Sequence, residues 1–240
     1  MSVERKFGRL VLVDERDKNY PLKAILPTTT ERTERYWDST VFLDQGAKPM
    51  CVGYGWAHWV DDPPITHPQL IDPEWIYNEA QKIDGFPMPH DGSTVRAAAK
   101  ILQGKSVISN YYWAQSSNDI VMAVLEKGPV TVGTNWYSDM SSPSIIDGLI
   151  KPTGQLQGGH CYLINGVDTK KGLLRIKNSW GRLWGKLGEA YISFDDMGKL
   201  LAEGGEGCLA TEIPGPLPTP TPKNWWDSFV DWLKGLFGIK

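Results

Sequence analysis

Asp44-Gln45-Gly46-Ala47-Lys48-Pro49-Met50-Cys51, running on into Val52-Gly53-Tyr54-Gly55-Trp56-Ala57, is the stretch whose reading decides the fold. A loop containing Gly46 and Pro49 gives way to an apolar segment, and Cys51 stands at the junction. A thiol in the first turn of a helix faces unpaired backbone N–H groups and the positive end of the macrodipole, which both favour the thiolate. Gln45, six residues earlier, can aim a side-chain amide at the same point. A lone cysteine is more often a small buried hydrophobe. What surrounds it in the chain has to decide.

Two later segments supply what a cysteine nucleophile needs: Gly158-Gly159-His160-Cys161-Tyr162-Leu163-Ile164 and Lys177-Asn178-Ser179-Trp180-Gly181. A neutral thiol is a poor nucleophile, so an imidazole must take its proton, and a third group must fix the ring's tautomer and direction. His160 is the candidate base and Asn178 its orienter.

On these motifs the chain resembles the papain-like cysteine peptidases. The family has a glutamine six residues before the nucleophile, a Gly-His in a strand, then Asn-Ser-Trp-Gly followed by Trp-Gly; here these are Gln45 and Cys51, Gly159-His160, Asn178 to Gly181, and Trp184-Gly185. Glu126-Lys127-Gly128-Pro129-Val130-Thr131-Val132 is similar to the family's link between a helix and a strand, and the likeness runs from about Gly8 to Glu212. The resemblance implies an α+β, two-lobed papain-like fold. A helical left lobe would carry Cys51, an antiparallel barrel-like right lobe would carry His160, and the active site would lie in the cleft between. It implies that Gln45 and the Cys51 N–H form the oxyanion hole and that Trp180 shields the His160–Asn178 bond. It further places Gly92 and Thr94, in Asp91-Gly92-Ser93-Thr94, near a segment that bonds an extended substrate and borders an apolar pocket. For Gly92 and Thr94, a turn and a helix N-cap explain the same residues.

The departures also carry information. Met50-Cys51-Val52-Gly53 replaces the family's Cys-Gly-Ser-Cys-Trp box, and the only other cysteines are Cys161 and Cys208. A three-disulfide framework is therefore excluded; one Cys161–Cys208 disulfide is arithmetically open, but three cysteines in 240 residues suggest reduced thiols in an intracellular protein. About forty residues precede Gln45 and look like the leader of compact bacterial and phage members. Control by removal of a long pro-segment is not expected.

Composition agrees. A hydrophobic content of 41% supports a substantial core, and a net charge of −3 gives no general pull towards nucleic acid or anionic membrane. No stretch reads as a signal peptide or a membrane span. The cysteines and the four histidines lack the paired spacing of a zinc site, so no metal or other cofactor is expected.

Along the chain, residues 1–40 read as an extended strap. Helices are expected from Cys51 to about Val60, from Pro73 to Gln81 with Asp72 as N-cap, from Ser93 to Gln103, and from Ser117 to Lys127. After Pro129 the texture turns to strands: Val130 to Asn135, His160 to Val167, Leu173 to Asn178 and Glu189 to Phe194. The expected division is a peptidase domain over 1–213 (strap 1–40, helical lobe about 41–128, mainly β lobe about 129–213), a proline-rich linker over 214–223, and an amphipathic helix over 224–240. That helix gathers Trp225, Trp226, Phe229, Trp232, Leu233, Leu236 and Phe237 on one face. It would dock on the body, on a second copy, on a protein partner or, more weakly, on a membrane. His58, seven residues after Cys51 on one helix, lies about 10 Å along the axis and is too far for proton transfer. His67 and His90 sit in proline-rich loops and read as solvated, with His90 near the rim of the cleft. Trp136 and Tyr137 follow a strand and read as core, with another wall of the substrate site as the alternative.

The expected activity is cysteine endopeptidase cleavage of a peptide or protein substrate. Two alternatives are hydrolysis of cell-wall peptides by the same chemistry, and a noncatalytic scaffold acting through its terminal helix.

Overall fold

A computed structural model describes residues 4–65, 67 and 69–218. The amphipathic helix expected over 224–240 lies outside the described residues, as does the linker beyond 218. Five helices are described: α1 (Cys51–Asp61), α2 (Pro73–Gln81), α3 (Val95–Gly104), α4 (Ser117–Glu126) and α5 (Phe194–Ala202). The strands are β1 (Glu34–Tyr36), β2 (Ile108–Trp113), β3 (Val130–Tyr137), β4 (Leu156–Asp168), β5 (Leu173–Lys177), β6 (Glu189–Ser193) and β7 (Glu206–Glu212).

Helix starts follow local chemistry. Asp72, Thr94, Ser116 and Ser193 each accept a backbone N–H from the first turn of α2, α3, α4 and α5. Each such cap contributes about 1 kcal/mol. α1 is different, because every one of its residues is buried. Gly53 and Gly55 explain how it fits. A Cβ on Gly53 would stand 2.2 Å from the Pro73 carbonyl oxygen, and one on Gly55 would stand 2.8 Å from Cys161 Sγ. The two glycines weaken the helix by about 1 kcal/mol each but let α2 and β4 approach from opposite sides.

The strands form one antiparallel sheet in the order β2-β7-β3-β4-β5-β6, with β1 pairing on β4. β4 divides the molecule into two cores through its period-two alternation. Cys161 and Leu163 enter a cluster with Val52, Trp56, Ile76 and Ala98 from the helices. Tyr162 and Ile164 enter a second cluster with Ile120, Trp136, Ile176 and Met197. These two cores are the two lobes, and the fold is α+β.

All four expected helices are present, with α3 beginning two residues later than expected because Thr94, rather than a residue before it, is the cap. β4 begins at Leu156, earlier than expected, and β1, β2, α5 and β7 are added. β2 and β7 are short mixed segments that pair with each other, β7 also joining β3. Partners so far apart in sequence leave no local signal. The three cysteines are free and buried. Among the described residues no helix is long and apolar enough to cross a membrane.

Three histidines behave differently from simple loop or helix residues. His58 is buried and accepts the Leu43 N–H at 3.0 Å through Nε2. Burial, then the Lys177 charge, holds it well below its ordinary pKa. The solvated reading of the other two is corrected: His67 Nε2 lies 2.6 Å from the Glu212 carboxylate with almost no side-chain exposure, and His90 Nε2 lies 3.0 Å from Asp84. Both rings tie a proline-rich loop to the body, so their surroundings are polar partners rather than water.

Candidate active site

Cys51 is the first residue of α1, and its N-cap Met50 makes no side-chain bond, so the first-turn N–H groups remain for the thiol and its neighbours. Burial pushes the thiol up to about 11, against the pull of backbone N–H groups from Cys161, Gly8, Val52 and Cys51 itself. His160 lies near the start of β4, beside Cys161, and is fully buried. Burial draws its imidazole down to about 4, a shift opposed by the Asn178 bond and assisted by the Arg5 charge.

The His160–Asn178 pair fixes the tautomer. Asn178 Oδ1 accepts the Ser179 backbone N–H at 2.8 Å, and a backbone N–H can only donate, so this amide orientation is determined. His160 Nε2 lies 2.8 Å from the same oxygen and therefore carries the ring proton. Nδ1 is left with its lone pair, buried and without a hydrogen-bond partner among the described residues. Trp136 and Trp180 wall the ring, at centroid distances of 4.7 Å and 5.1 Å. Trp180 is itself buried, beside the bond it was expected to shield.

Gln45 is tied to the same segment. Its N–H donates to the Ser179 carbonyl at 2.9 Å, and its side-chain oxygen accepts from Ser179 Oγ at 2.6 Å. Ser179 thus positions both Gln45 and Asn178, a part that the sequence alone does not single out. The Gln45 side-chain nitrogen donates to the Lys6 carbonyl at 3.0 Å and to the Lys48 carbonyl at 2.7 Å.

The Lys6 contact belongs to the least anticipated feature: residues 5–10 lie in the cleft. Arg5 pairs with Asp44 and donates to the Trp180 carbonyl at 3.2 Å. Phe7 sets its ring edge-on against His160, 5.7 Å between centroids. The Gly8 carbonyl accepts the Ser93 N–H at 2.8 Å, Leu10 N–H donates to the Ser93 carbonyl at 2.8 Å, and Arg9 N–H donates to the Gly159 carbonyl at 2.9 Å. Cys51 and His160 consequently have no solvent exposure. Residues of the strap themselves cover the thiol and the imidazole.

Gly92 stands where an extended peptide passes. A Cβ on it would lie 2.6 Å from the Gly8 carbonyl oxygen. Thr94 instead turns its hydroxyl to the Ala97 N–H at 3.1 Å, so its side chain serves the helix cap. Ser93, between them, makes the backbone contacts that the motif suggested for its neighbours.

The strap rests on a tight backbone approach, which gives a direct test. A Cβ on Gly8 would stand 1.9 Å from the Pro49 carbonyl oxygen, an atom of the backbone that cannot swing aside. Overpacking of this kind costs about 1–3 kcal/mol, or about 5- to 150-fold in the open fraction. Gly8→Ala should therefore raise the rate of Cys51 alkylation by roughly that factor. Uncovering should also move the alkylation–pH profile to lower pH, since burial is what raises the thiol and depresses the imidazole. An unchanged rate and profile would show that the strap does not limit access.

Comparisons with known proteins bear on this arrangement. Residues 76–201 match the family described as papain family cysteine protease, a span that includes His160 and Asn178 and stops short of Gln45 and Cys51. "Gamete and mating-type specific protein A" of Dictyostelium discoideum is 32% identical over 86 residues, which is 35% of this chain and 19% of that protein's length. Among solved structures, xylellain, a cysteine protease from Xylella fastidiosa, superposes with a TM-score of 0.69 at 17% identity, covering 89% of this chain and 99% of its own. Digestive procathepsin L 3 of Tenebrio molitor gives 0.60 at 15% identity, covering 87% and 76%. The bromelain protease of Ananas comosus gives 0.56 at 14% identity, covering 76% and 100%. At these identities the structural likenesses concern the fold.

Proposed function

The chain belongs to the papain family of cysteine proteases and is a cysteine peptidase, and on that footing we propose that it cleaves peptide or protein substrates through Cys51, His160 and Asn178, with Gln45 completing the oxyanion hole. The observation that carries this reading is the Nδ1 of His160, without a hydrogen-bond partner among the described residues, its proton-bearing Nε2 held 2.8 Å from Asn178 Oδ1.

Once the strap has left and water has returned, Nδ1 takes the Cys51 proton and the thiolate attacks the substrate carbonyl carbon. Charge develops on the carbonyl oxygen, where the Cys51 N–H and the Gln45 amide, released from the Lys6 carbonyl, stabilise it. The tetrahedral intermediate collapses with cleavage of the C–N bond, and the Nδ1 proton passes to the leaving amine. Water, deprotonated by the same nitrogen, then attacks the thioester, and Cys51 departs as thiolate. Asn178 keeps the ring oriented throughout, and removing a group of this kind typically lowers turnover without abolishing it.

The test is chemical modification with peptide mapping on the Gly8→Ala protein. Iodoacetamide should alkylate Cys51 ahead of Cys161 and Cys208, which burial holds well above the ordinary thiol range. Peptide hydrolysis should fall in proportion to Cys51 modification. Hydrolysis that persists after complete alkylation of Cys51 would remove the assignment.

A further inference from the structure

Resting on that peptidase reading, the geometry points to a basic side chain in the substrate: the pocket now filled by Arg9 selects an arginine, and Glu206 is the residue that sets the preference. The observations begin with Arg9 itself. Its side chain is 2% exposed, although it belongs to a strap on the surface of the cleft. Its Nε donates to Glu206 Oε1 at 3.0 Å and its Nη2 to the Gly204 carbonyl at 2.6 Å. A guanidinium, a carboxylate and a carbonyl thus meet inside the wall of the site.

The pocket is shaped for a long side chain. Gly133 of β3 forms one wall, and a Cβ there would stand 3.0 Å from Arg9 Nε and 2.9 Å from Val95. Gly159 forms another, and its Cβ would stand 2.2 Å from the Arg9 carbonyl oxygen and 3.3 Å from Arg9 Cδ. Side chains at either position would fill the space. Glycine at both leaves a channel whose floor is Glu206, at the start of β7.

The backbone geometry makes this a substrate pocket as well as a latch. Gly8, whose N–H approaches the Cys51 thiol, and Leu10 bond to Ser93, while Arg9 bonds to Gly159 on the opposite side. These contacts use only main-chain groups of the strap, so any extended peptide can make them. A substrate that displaces residues 5–10 would therefore set a side chain at the mouth of the same channel, beside the base His160. There it would meet a carboxylate left without its partner. An apolar side chain would leave that partly exposed carboxylate with water alone, whereas arginine would restore the hydrogen bonds to Glu206 and to the Gly204 carbonyl. The family resemblance implies an apolar pocket next to this segment; Glu206 makes it acidic in this chain.

Two experiments on the full chain test the assignment. In the first, the Gly8→Ala protein is given a peptide library varied at each position within three residues of the cleaved bond. Arginine at a single position should be favoured over leucine by about 10²-fold in kcat/KM, and Glu206→Gln should bring that ratio close to unity. Hydrolysis with no basic preference, or a preference that survives Glu206→Gln, would overturn the pocket assignment and leave the peptidase reading intact. The second experiment does not depend on turnover. Arg9→Ala leaves the channel empty, and n-propylguanidinium, added at millimolar levels, should raise the Tm of this variant saturably. It should leave the wild-type chain and the Arg9→Ala/Glu206→Gln double variant unmoved. Stabilisation without any hydrolysis would fault the peptidase reading and uphold the acidic pocket. No stabilisation of Arg9→Ala, or equal stabilisation of all three proteins, would overturn the proposal.

Discussion

Replacing Cys51 by alanine should reduce peptide hydrolysis by a factor on the order of 10⁴ or more, to the background of the uncatalysed reaction assisted by binding alone. The size of the effect follows from the covalent step. Without the sulfur there is no thioester, and neither His160 nor Gln45 can substitute for the bond that must form. The measurement belongs in the Gly8→Ala background, where the cleft is uncovered and the parent rate is highest. Folding should survive, because the Cys51 side chain is small, sits at the first position of α1, and is approached only by backbone N–H groups as polar partners. A melting temperature within a few degrees of the parent would establish that. A well-folded Cys51→Ala protein that keeps a tenth of the parent rate would mean that another group performs the chemistry.

Lys177→Met should be strongly destabilising. Lys177 Nζ donates to Asp62 Oδ1 at 2.5 Å, and both side chains have zero exposure. Burial pushes the Asp62 carboxyl up and the Lys177 amine down, while each group's charge draws the other back towards its ionised form. The opposed shifts express one fact, that each group is costly to bury alone. Removing the lysine leaves a carboxyl in the core whose second oxygen makes no hydrogen bond of ordinary geometry among the described residues. Breaking such a pair from one side costs about 3–5 kcal/mol, which for a domain of this size lowers Tm by roughly 6–20 °C. The double variant Lys177→Met/Asp62→Leu should recover most of that loss, since no unpaired charge remains. Thermal unfolding of the two variants checks both statements, and a double variant no more stable than the single one would show that packing rather than charge is responsible.

This pair also connects the cores to the site. Asp62 is the C-cap of α1, the helix that begins with Cys51, and Lys177 ends β5, one residue before Asn178. The ion pair therefore ties the element bearing the nucleophile to the element bearing the orienter. Activity losses in Lys177→Met are expected to accompany the stability loss and should be recovered together with it in the double variant.

Four of the five described helices were legible because their signals are local, whereas α5 was not, although Ser193 caps it in the same way. Asp72 before Pro73, Thr94 before an alternating apolar run, and Ser116 before Ser117 each place a cap within four residues of the N–H it satisfies. β3 to β6 were legible as β-rich runs between glycine-bearing turns. β2 and β7 were not, because what makes them strands is mutual pairing, Tyr111 against Ala210 and Trp113 against Cys208. Trp136 shows the intermediate case. A core position was readable from its aromatic type and its place at the end of a strand, but its contact with His160 was not.

From the sequence by itself came the reactive groups, their order along the chain, the family they resemble and the absence of a disulfide framework. Those depend on residue types and short spacings, which chain chemistry expresses directly. The tertiary structure decided which His160 nitrogen bears the proton, through the Ser179 N–H that orients the Asn178 amide. It also decided that residues 5–10 cover the thiol, and that Arg9 reaches a carboxylate 197 residues away. Contacts across such separations depend on how α1, β4 and β7 pack against one another, and no local pattern of side chains specifies them.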